Sequence, residues 1–433
     1  MHVCIIDGMR GMKILHLNAE EIGGGAPIAV RRLHMALNRL NDLSSIVGVK
    51  AKITDALNVH ELPGFNSRLL AKVIDKGCNE FVKLYKPTKN TPYSAYFLDN
   101  SVPTYIQTLK PDIIHLHWIC NNFISPRGLR KIATLGIPVV WTFHDTWPFT
   151  GGCHITGDCD RWQNHCGNCP ALGRSSMLDI SWWLWRAKKK AYAALKPVIV
   201  ALNRKFYNSI KTSPLLSGCD VVILPNTIDS SIFRPIPKNV ARSLLGLDPK
   251  AHYILFGACD STSNRNKGFD LLSAALNALP KESIRDVSCL IFGASHADFD
   301  AKIPLPAQYL GTLRDELTLA VVYSAADIFV CPSREENLPN TIMESLSCAT
   351  PVVAFAVGGI PDMIEHGING MLVEPHDPQK MAEAISYILL EHEKRKSMSK
   401  SAREKVLRSY DMPIVARKYA DLYKYVCLKN GAP

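Results

Sequence analysis

SREENLPNTIMESLSCATPVVAFAVGG fills residues 333–359 of a 433-residue chain and follows YSAADIFVCP at 323–332. DIFVCPS (327–333) is an apolar run without alternation, and NLPN (337–340) is a turn. From Thr341 the spacing is helical, and PVVAF (351–355) is a second apolar run. Strand, helix and strand in that order predict a parallel crossover unit, because parallel neighbours need a connection long enough to hold a helix. Strands that do not alternate are those covered by helices on both faces.

The same reading extends outward. YILFGA (253–258) and CLIFG (289–293) predict further strands, and Asp377-Pro378 caps a helix that places Met381, Ile385, Ile388 and Leu389 on one face. Before the proline-containing stretch at 233–237 lies a second set of strands: KILHLN (13–18), DIIHLHW (112–118), PVVWTFHD (138–145) and DVVILPN (220–226). Gly23-Gly24-Gly25 joins the first of these to a helix marked by Ala29, Leu33, Ala36, Leu37 and Leu40. The expected fold is α/β, with two doubly wound Rossmann-like domains facing across a cleft, at 12–230 and 231–408. Residues 409–433 form a C-terminal helix expected to return to the first domain. Open parallel sheets bind ligands beyond the carboxyl ends of their strands, so the chemistry is expected between the domains.

An apolar content of 47% with 21% charged residues excludes a disordered or fibrous chain. Apolar runs such as PVIVAL (197–202) fall far short of the roughly 18 residues a membrane span needs. The net charge of +11 is lopsided: residues 1–215 hold 27 Lys/Arg against 14 Asp/Glu, whereas 216–433 hold 23 against 25. A positive first half implies anionic partners. Thirteen cysteines with no secretory signal before them predict mostly free thiols in a reducing compartment, and Met9 or Met12 is the expected start.

Glu336 and Glu344 are separated by seven residues, one on the loop and one a turn into the helix. The helix N-terminus lies between them, and its unpaired N–H groups suit a phosphate. Asn264-Arg265-Asn266-Lys267-Gly268 follows the strand at 253–258, where Arg265 and Lys267 would clamp a diphosphate and stabilise it as it leaves. Together these segments describe a nucleotide-sugar site, with Glu336 on the sugar and Glu344 on the ribose.

Glu-x7-Glu followed by ATPVVA and GG, the preceding YSAADIFVCPS, the upstream Arg-x-Lys-Gly, and LPNTID (224–229) resemble glycosyltransferase family 4 and its GT-B fold. The likeness runs from Met12 through nearly the whole chain and is strongest over 309–375. It implies a retaining, metal-independent hexosyl transfer from a UDP- or GDP-sugar. It also implies that Glu336 contacts the donor sugar, Glu344 the ribose, and Arg265 and Lys267 the diphosphate. Backbone groups of Asn337, Leu338 and Pro339 would lie along the sugar, with Asn340 and Thr341 at the helix start. Retention implies same-face attack with the departing phosphate accepting the proton, consistent with the lack of a nucleophile–base pair in the sequence. Two positions depart from the common pattern: Leu338-Pro339 stand where Phe-Gly is usual, and Gly257-Ala258 where Gly-Arg is usual. Pro339 removes a backbone N–H that would otherwise face the donor.

In the first half, Gly24 and Gly25 resemble the family's first glycine loop, near phosphate and acceptor; a plain tight turn is the other reading. The resemblance gives His144 a contact with donor sugar or acceptor, whereas a histidine bonded to its neighbour Asp145 would be a packing device. His115 and His117 share a strand face, and a buried hydrogen-bonded role is expected for them rather than metal binding. Cys153, Cys159, Cys166 and Cys169 crowd one loop, of which Cys166-x2-Cys169 matches half a zinc site. A structural zinc and a metal-free loop, reduced or oxidised, both remain open. A similar His-Asp-x-Trp-Pro-x-x-Gly loop and cysteine cluster resemble a polysaccharide-assembly branch of family 4.

Trp182-Trp183-x-Trp185-Arg186-x-Lys188-Lys189-Lys190 mixes aromatic and cationic residues as helices at a membrane surface do. The expected partners are therefore an anionic membrane surface and a lipid-linked glycan, and no nucleic acid. The expected location is cytoplasmic, peripheral on the inner face of the plasma membrane, in exopolysaccharide, O-antigen or capsule synthesis, including lipopolysaccharide. The competing readings are a nucleotide-sugar 2-epimerase of the same fold, a noncatalytic basic nucleic-acid binder and a two-carboxylate glycosidase. Each fits less well. The first has no need of the basic, Trp-rich first domain, the second lacks a recognition motif, and the third does not need Arg265 and Lys267.

Overall fold

A computed structural model describes residues 11–62, 68–85, 92–98, 101–173, 176–257, 262, 264–280, 285–294 and 303–431. Met9 and Ala258, both named above, lie outside the described residues. In the first half, seven strands are β1 (Met12–Asn18), β2 (Leu43–Val49), β3 (Val59–Glu61), β4 (Ile113–Leu116), β5 (Val139–Phe143), β6 (Val198–Ala201) and β7 (Val221–Ile223). They form one sheet in the order β3-β2-β1-β4-β5-β6-β7. Every pairing is parallel, with Leu15 of β1 opposite Ile46 and Ile114.

The second half repeats the plan with β8 (His252–Gly257), β9 (Val287–Phe292), β10 (Ala307–Tyr309), β11 (Ile328–Cys331), β12 (Val352–Phe355) and β13 (Gly370–Val373). This sheet is also parallel, in the order β10-β9-β8-β11-β12-β13. In each sheet the strand order reverses next to the first strand, between β1 and β4 and between β8 and β11. Loops leaving those strands diverge and open the place where doubly wound sheets take ligands.

One compact unit gathers the described residues up to Ala201, Tyr207–Leu224 and those from Ala416 on. The other gathers Leu202–Phe206 and Pro225–Val415. Strands β2, β3, β10 and β13 escape the apolar-run reading for physical reasons. Strand β2 carries the fully buried Ser45, whose hydroxyl lies 2.8 Å from Nδ1 of His34, so a polar residue interrupts its pattern. At the edges, β3 and β10 are three-residue strands in which no side chain is buried. Strand β13 opens on Gly370, where a Cβ would stand 2.4 Å from the Val352 carbonyl oxygen.

Helix ends follow local rules. Asp377 accepts from the Lys380 N–H at the start of Pro378–Leu390. Asp179 accepts from Ser181 and Trp182 at the start of Ile180–Leu195, satisfying N–H groups a helix cannot pair internally. The second unit also buries an ionic knot. Asp327, 3% exposed, accepts from Arg242 Nη2 (2.8 Å), Lys238 Nζ (2.7 Å) and the Tyr253 N–H (2.8 Å). Burial pushes its carboxyl up, but His252, 3.6 Å away, and the Lys238 charge outweigh that and hold it far below the ordinary range. Among the described residues, no helix is long and apolar enough to cross a membrane.

Candidate active site

Strands β8 and β11 are neighbours at the reversal point of the second sheet, and each releases a loop there. After β8, Arg265–Lys267 makes one 3₁₀ turn, with the Asn264 carboxamide oxygen accepting from the Asn266 N–H at 3.0 Å. After β11, the loop carries Ser333 to Pro339. Lys267 Nζ sits 2.7 Å from Glu336 Oε1, and the Ser333 hydroxyl donates to the same oxygen at 2.9 Å.

A second set of bonds stitches the two loops. The Asn266 side chain donates to the Glu335 carbonyl (2.8 Å) and accepts from the Glu335 N–H (3.1 Å), while the Asn266 carbonyl accepts from the Arg334 N–H (2.8 Å). The Arg334 guanidinium grips both oxygens of Asp270 at 2.9 and 2.6 Å and the Arg265 carbonyl at 2.7 Å. Paired bonds of this kind fix direction as well as distance. The Arg265 side chain is exposed.

Two glycines permit this closeness. Gly268 has φ +71° and Gly358 has φ +56°, conformations that favour glycine. A Cβ would stand 2.0 Å from the Pro332 carbonyl oxygen at Gly268 and 1.5 Å from that of Glu336 at Gly358. Asn203 completes the frame by donating through Nδ2 to the Asn337 carbonyl (2.9 Å) and side-chain oxygen (2.6 Å).

The helix Asn340–Ser347 begins after Pro339 with no side-chain cap, so its first N–H groups are oriented outward with the positive end of the dipole. Leu338 and Asn340 are buried and Thr341 is half-buried beside Glu336. Glu344 sits one turn in, 4% exposed, accepting from the Tyr323 hydroxyl at 3.0 Å. Its carboxylate is therefore held from within the unit, a feature the two-glutamate spacing alone did not reveal.

In the first unit, Gly24 (φ +53°) precedes the helix Gly25–Leu37, whose N-terminus has neither a side-chain cap nor an acid in its first turn. His144 follows β5 half-buried, but its hydrogen-bonding partner is not Asp145. His144 Nε2 lies 3.1 Å from His117 Nδ1, and His117 Nε2 lies 2.9 Å from His16 Nδ1. Three imidazoles thus form a chain from β1 past β4 to the end of β5. Asp145 instead accepts from the Trp118 indole (2.8 Å) and pairs with His154 (2.6 Å). Burial lowers His16 to about 3 and His144 to about 4, and takes His115 and His117 well below the usual imidazole value. The chain is neutral at pH 7.

Cys153, Cys159, Cys166 and Cys169 are free thiols lining one hollow. On the helix Ile180–Leu195 the Trp-Lys run divides: Trp185 and Lys188 face inward, while Trp183, Arg186, Lys189 and Lys190 are exposed.

The sequence carries two family signatures on these two sheets. The model described as Glycosyltransferase Family 4 matches residues 24–231, and that described as Glycosyl transferases group 1 matches 253–391. A D-inositol 3-phosphate glycosyltransferase from Xylanimonas cellulosilytica is 30% identical over 341 residues, 74% of this chain and 73% of the relative. The chain belongs to glycosyltransferase family 4.

Other relatives of this family 4 chain align over less. The D-inositol 3-phosphate glycosyltransferase of Thermobispora bispora is 28% identical over 214 residues, 47% of this chain and 50% of the relative. The chain spans about half the length of that relative or less of others it matches. Its GT-B architecture is shared with HepE of Anabaena, a structure in complex with UDP and glucose. The TM-score is 0.66 at 16% identity, covering 96% of this chain and 100% of that one.

Of the residues read from sequence, this family 4 chain brings Lys267, Glu336, Asn337 and the helix start at Asn340 and Thr341 to one sheet edge. Asn266, Arg334, Asp270, Ser333 and Asn203 were not anticipated. The Asn-x-Asn pair at 264–266 is a turn signal that points to Asn266, whereas Asn203 has no local signature because its partner is 134 positions away.

Proposed function

We propose that this glycosyltransferase is a retaining enzyme that needs no catalytic metal. It moves a hexosyl group from a UDP- or GDP-sugar to a lipid-linked glycan, in exopolysaccharide, O-antigen or capsule synthesis at the inner face of the plasma membrane. The observation that carries the reading is the Lys267–Glu336 pair at the reversal point of the second sheet, beside an uncapped helix N-terminus. Lys267 and the exposed Arg265 supply the positive charge a departing diphosphate requires, and the N–H groups at Asn340 and Thr341 add to it.

In this reading Glu336 takes the sugar hydroxyls once the diphosphate draws Lys267 away. Asn337, Leu338 and Pro339 run along the sugar, and Glu344, oriented by Tyr323, accepts from the ribose diol. Gly24, Gly25 and His144 are assigned to the acceptor side. The bond from the anomeric carbon to the phosphate oxygen breaks with both electrons going to the phosphate. The acceptor oxygen bonds to that carbon on the same face, and its proton passes to the departing phosphate oxygen. His144 is neutral at physiological pH, which suits hydrogen bonding to a sugar hydroxyl rather than charge pairing.

Membrane attachment is supported by an exposed apolar wedge: Met177, Leu178 and Trp183 are 56%, 58% and 55% exposed and adjoin Arg186, Lys189 and Lys190 in sequence. Apolar insertion with cations beside it suits an anionic leaflet. Sedimentation with phosphatidylglycerol vesicles checks it, with weaker binding expected for Trp183→Ala. The reaction is tested by incubating the full chain with a panel of UDP- and GDP-sugars, with and without bacterial lipid extract. Lipid-dependent release of one nucleoside diphosphate is expected, with the new glycosidic bond in the α configuration if the donor is α. Donor binding without release on any lipid fraction, or an inverted product, would contradict the proposal.

A further inference from the structure

The donor site leaves unexplained the loop after β5, which places four cysteines on 17 residues at Cys153, Cys159, Cys166 and Cys169. All four sulfurs belong to free thiols, and all four residues line one hollow together with Gly151, Arg161 and Trp162. No carboxylate or imidazole lines it. Four thiols as the candidate ligands, beside the Ser181 hydroxyl and the Arg161 guanidinium, select a soft, tetrahedral ion over magnesium or calcium.

The loop backbone is built to hold the sulfurs facing inward. The Gly151 N–H donates to Cys166 Sγ at 3.1 Å, a contact that also orients metal-bound thiolates. A Cβ on Gly151 would stand 2.7 Å from Cys166 Cβ, so glycine is what lets that sulfur approach. The Cys169 N–H is tied to Asp179 Oδ2 at 2.7 Å, and the Cys159 carbonyl accepts from the Trp162 indole at 2.9 Å.

Charge gives an independent argument. Lys188 is fully buried behind this loop, donating Nζ to the carbonyls of Trp147 and Thr150 and lying 3.4 Å above the Trp147 ring. Among the described residues it forms no ion pair with a carboxylate, although buried cations are normally paired. A divalent ion held by four thiolates carries a net charge of −2, opposite in sign to the Lys188 ammonium and to Arg161 on the lining.

We propose that Cys153, Cys159, Cys166 and Cys169 bind one zinc ion that braces the segment leaving β5. That segment reaches the candidate acceptor side through His154, which joins Asp145 at 2.6 Å and Ser94 at 2.8 Å. Among the described residues, the group of ligand atoms already within 4.8 Å of one another is His16, His115 and His117 rather than the cysteines. Both ring nitrogens of His115 are engaged by Tyr423 and Thr142, however, and His16 Nδ1 bonds His117 Nε2, which leaves His16 Nε2 as the one ring nitrogen of the trio without a partner among the described residues and so at most a single open ligand atom there. The sulfurs would close to about 3.8 Å of one another around zinc, the spacing that Zn–S bonds of about 2.3 Å impose on a tetrahedron.

The test is metal analysis of the full chain purified without chelator from zinc-supplemented cells, with zinc-edge X-ray absorption on the same sample. About one zinc per chain with four sulfur neighbours is expected, and Cys166→Ser and Cys169→Ser should each reduce zinc at least tenfold. Because those variants can lose their fold, absorption on the unmodified chain stands as the independent readout. Zinc below a tenth of an equivalent, nitrogen neighbours pointing to the histidine trio, or two disulfides found by mass spectrometry would each overturn the proposal.

Discussion

Lys267 Nζ and Glu336 Oε1 stand 2.7 Å apart although 69 positions separate them in sequence, and this pair joins the turn after β8 to the loop after β11. With side chains 23% and 12% exposed, the pair is open enough for a ligand to compete for the lysine. Lys267→Ala and Glu336→Ala should each lower kcat/KM at least about 100-fold, the scale for losing one group that stabilises developing charge. Steady-state nucleoside diphosphate release measures it, and an unchanged circular dichroism spectrum excludes unfolding. Near-normal turnover in either variant would remove the pair from the site.

Gly358→Ala should act through Glu336. Its Cβ would meet the Glu336 carbonyl oxygen at 1.5 Å, so the loop must move. Gly367→Ala is the control: φ is +76° there too, but nothing lies within 4 Å of the added carbon. Both substitutions carry a left-handed backbone cost of roughly 1–2 kcal/mol, whereas only Gly358→Ala is expected to reduce turnover by tenfold or more. Equal activities in the two would show that the close approach is not needed.

Asp327→Ala should destabilise the second unit by about 3–5 kcal/mol, because it strands the buried Arg242 without its partner. Urea unfolding followed by tryptophan fluorescence is poorly placed for this, since all seven tryptophans lie between 118 and 185. Hydrogen exchange of the β8 and β11 amides is the better measurement. Protection unchanged from the parent chain would mean the knot contributes nothing.

Acid should weaken the first unit ahead of the second. His16 titrates near 3, and His34 and His144 near 4 when folded, because burial disfavours their charged forms. Their folded values lie below the unfolded value of about 6.5, so their stabilisation is complete above that pH and is lost as pH falls towards 4. At pH 5 a buried histidine such as His16 costs roughly 2 kcal/mol, from 1.5 pH units at 1.36 kcal/mol each. Tryptophan fluorescence, which reports this unit, should show the unfolding midpoint falling between pH 6.5 and 5. A flat midpoint over that window would contradict the neutral histidine chain.

What sequence pattern could reveal followed the range of the interactions. Buried parallel strands such as β8, β11 and β12 are written as unbroken apolar runs, and the Glu336-x7-Glu344 spacing is local, so both were legible. The chain His16–His117–His144 was not, because its members come from β1 and from the residues just after β4 and β5, brought side by side by the sheet order. Lys188 looked like one cation among several in a basic run, yet a helix turns successive residues by about 100° and sends it inward between exposed Lys189 and Arg186. Glu344 was placed on the right helix, but its burial against Tyr323 depends on the packing of the helix Glu316–Ala325.

The loops after β8 and β11 are proposed to hold a sugar nucleotide by its diphosphate. A crystal structure of the chain with an intact UDP- or GDP-sugar tests it most directly. Diphosphate oxygens are expected within hydrogen-bond distance of Lys267 and of the N–H groups at Asn340 or Thr341, with Glu336 on the sugar. A nucleotide bound elsewhere, with Lys267 still paired to Glu336, would contradict it.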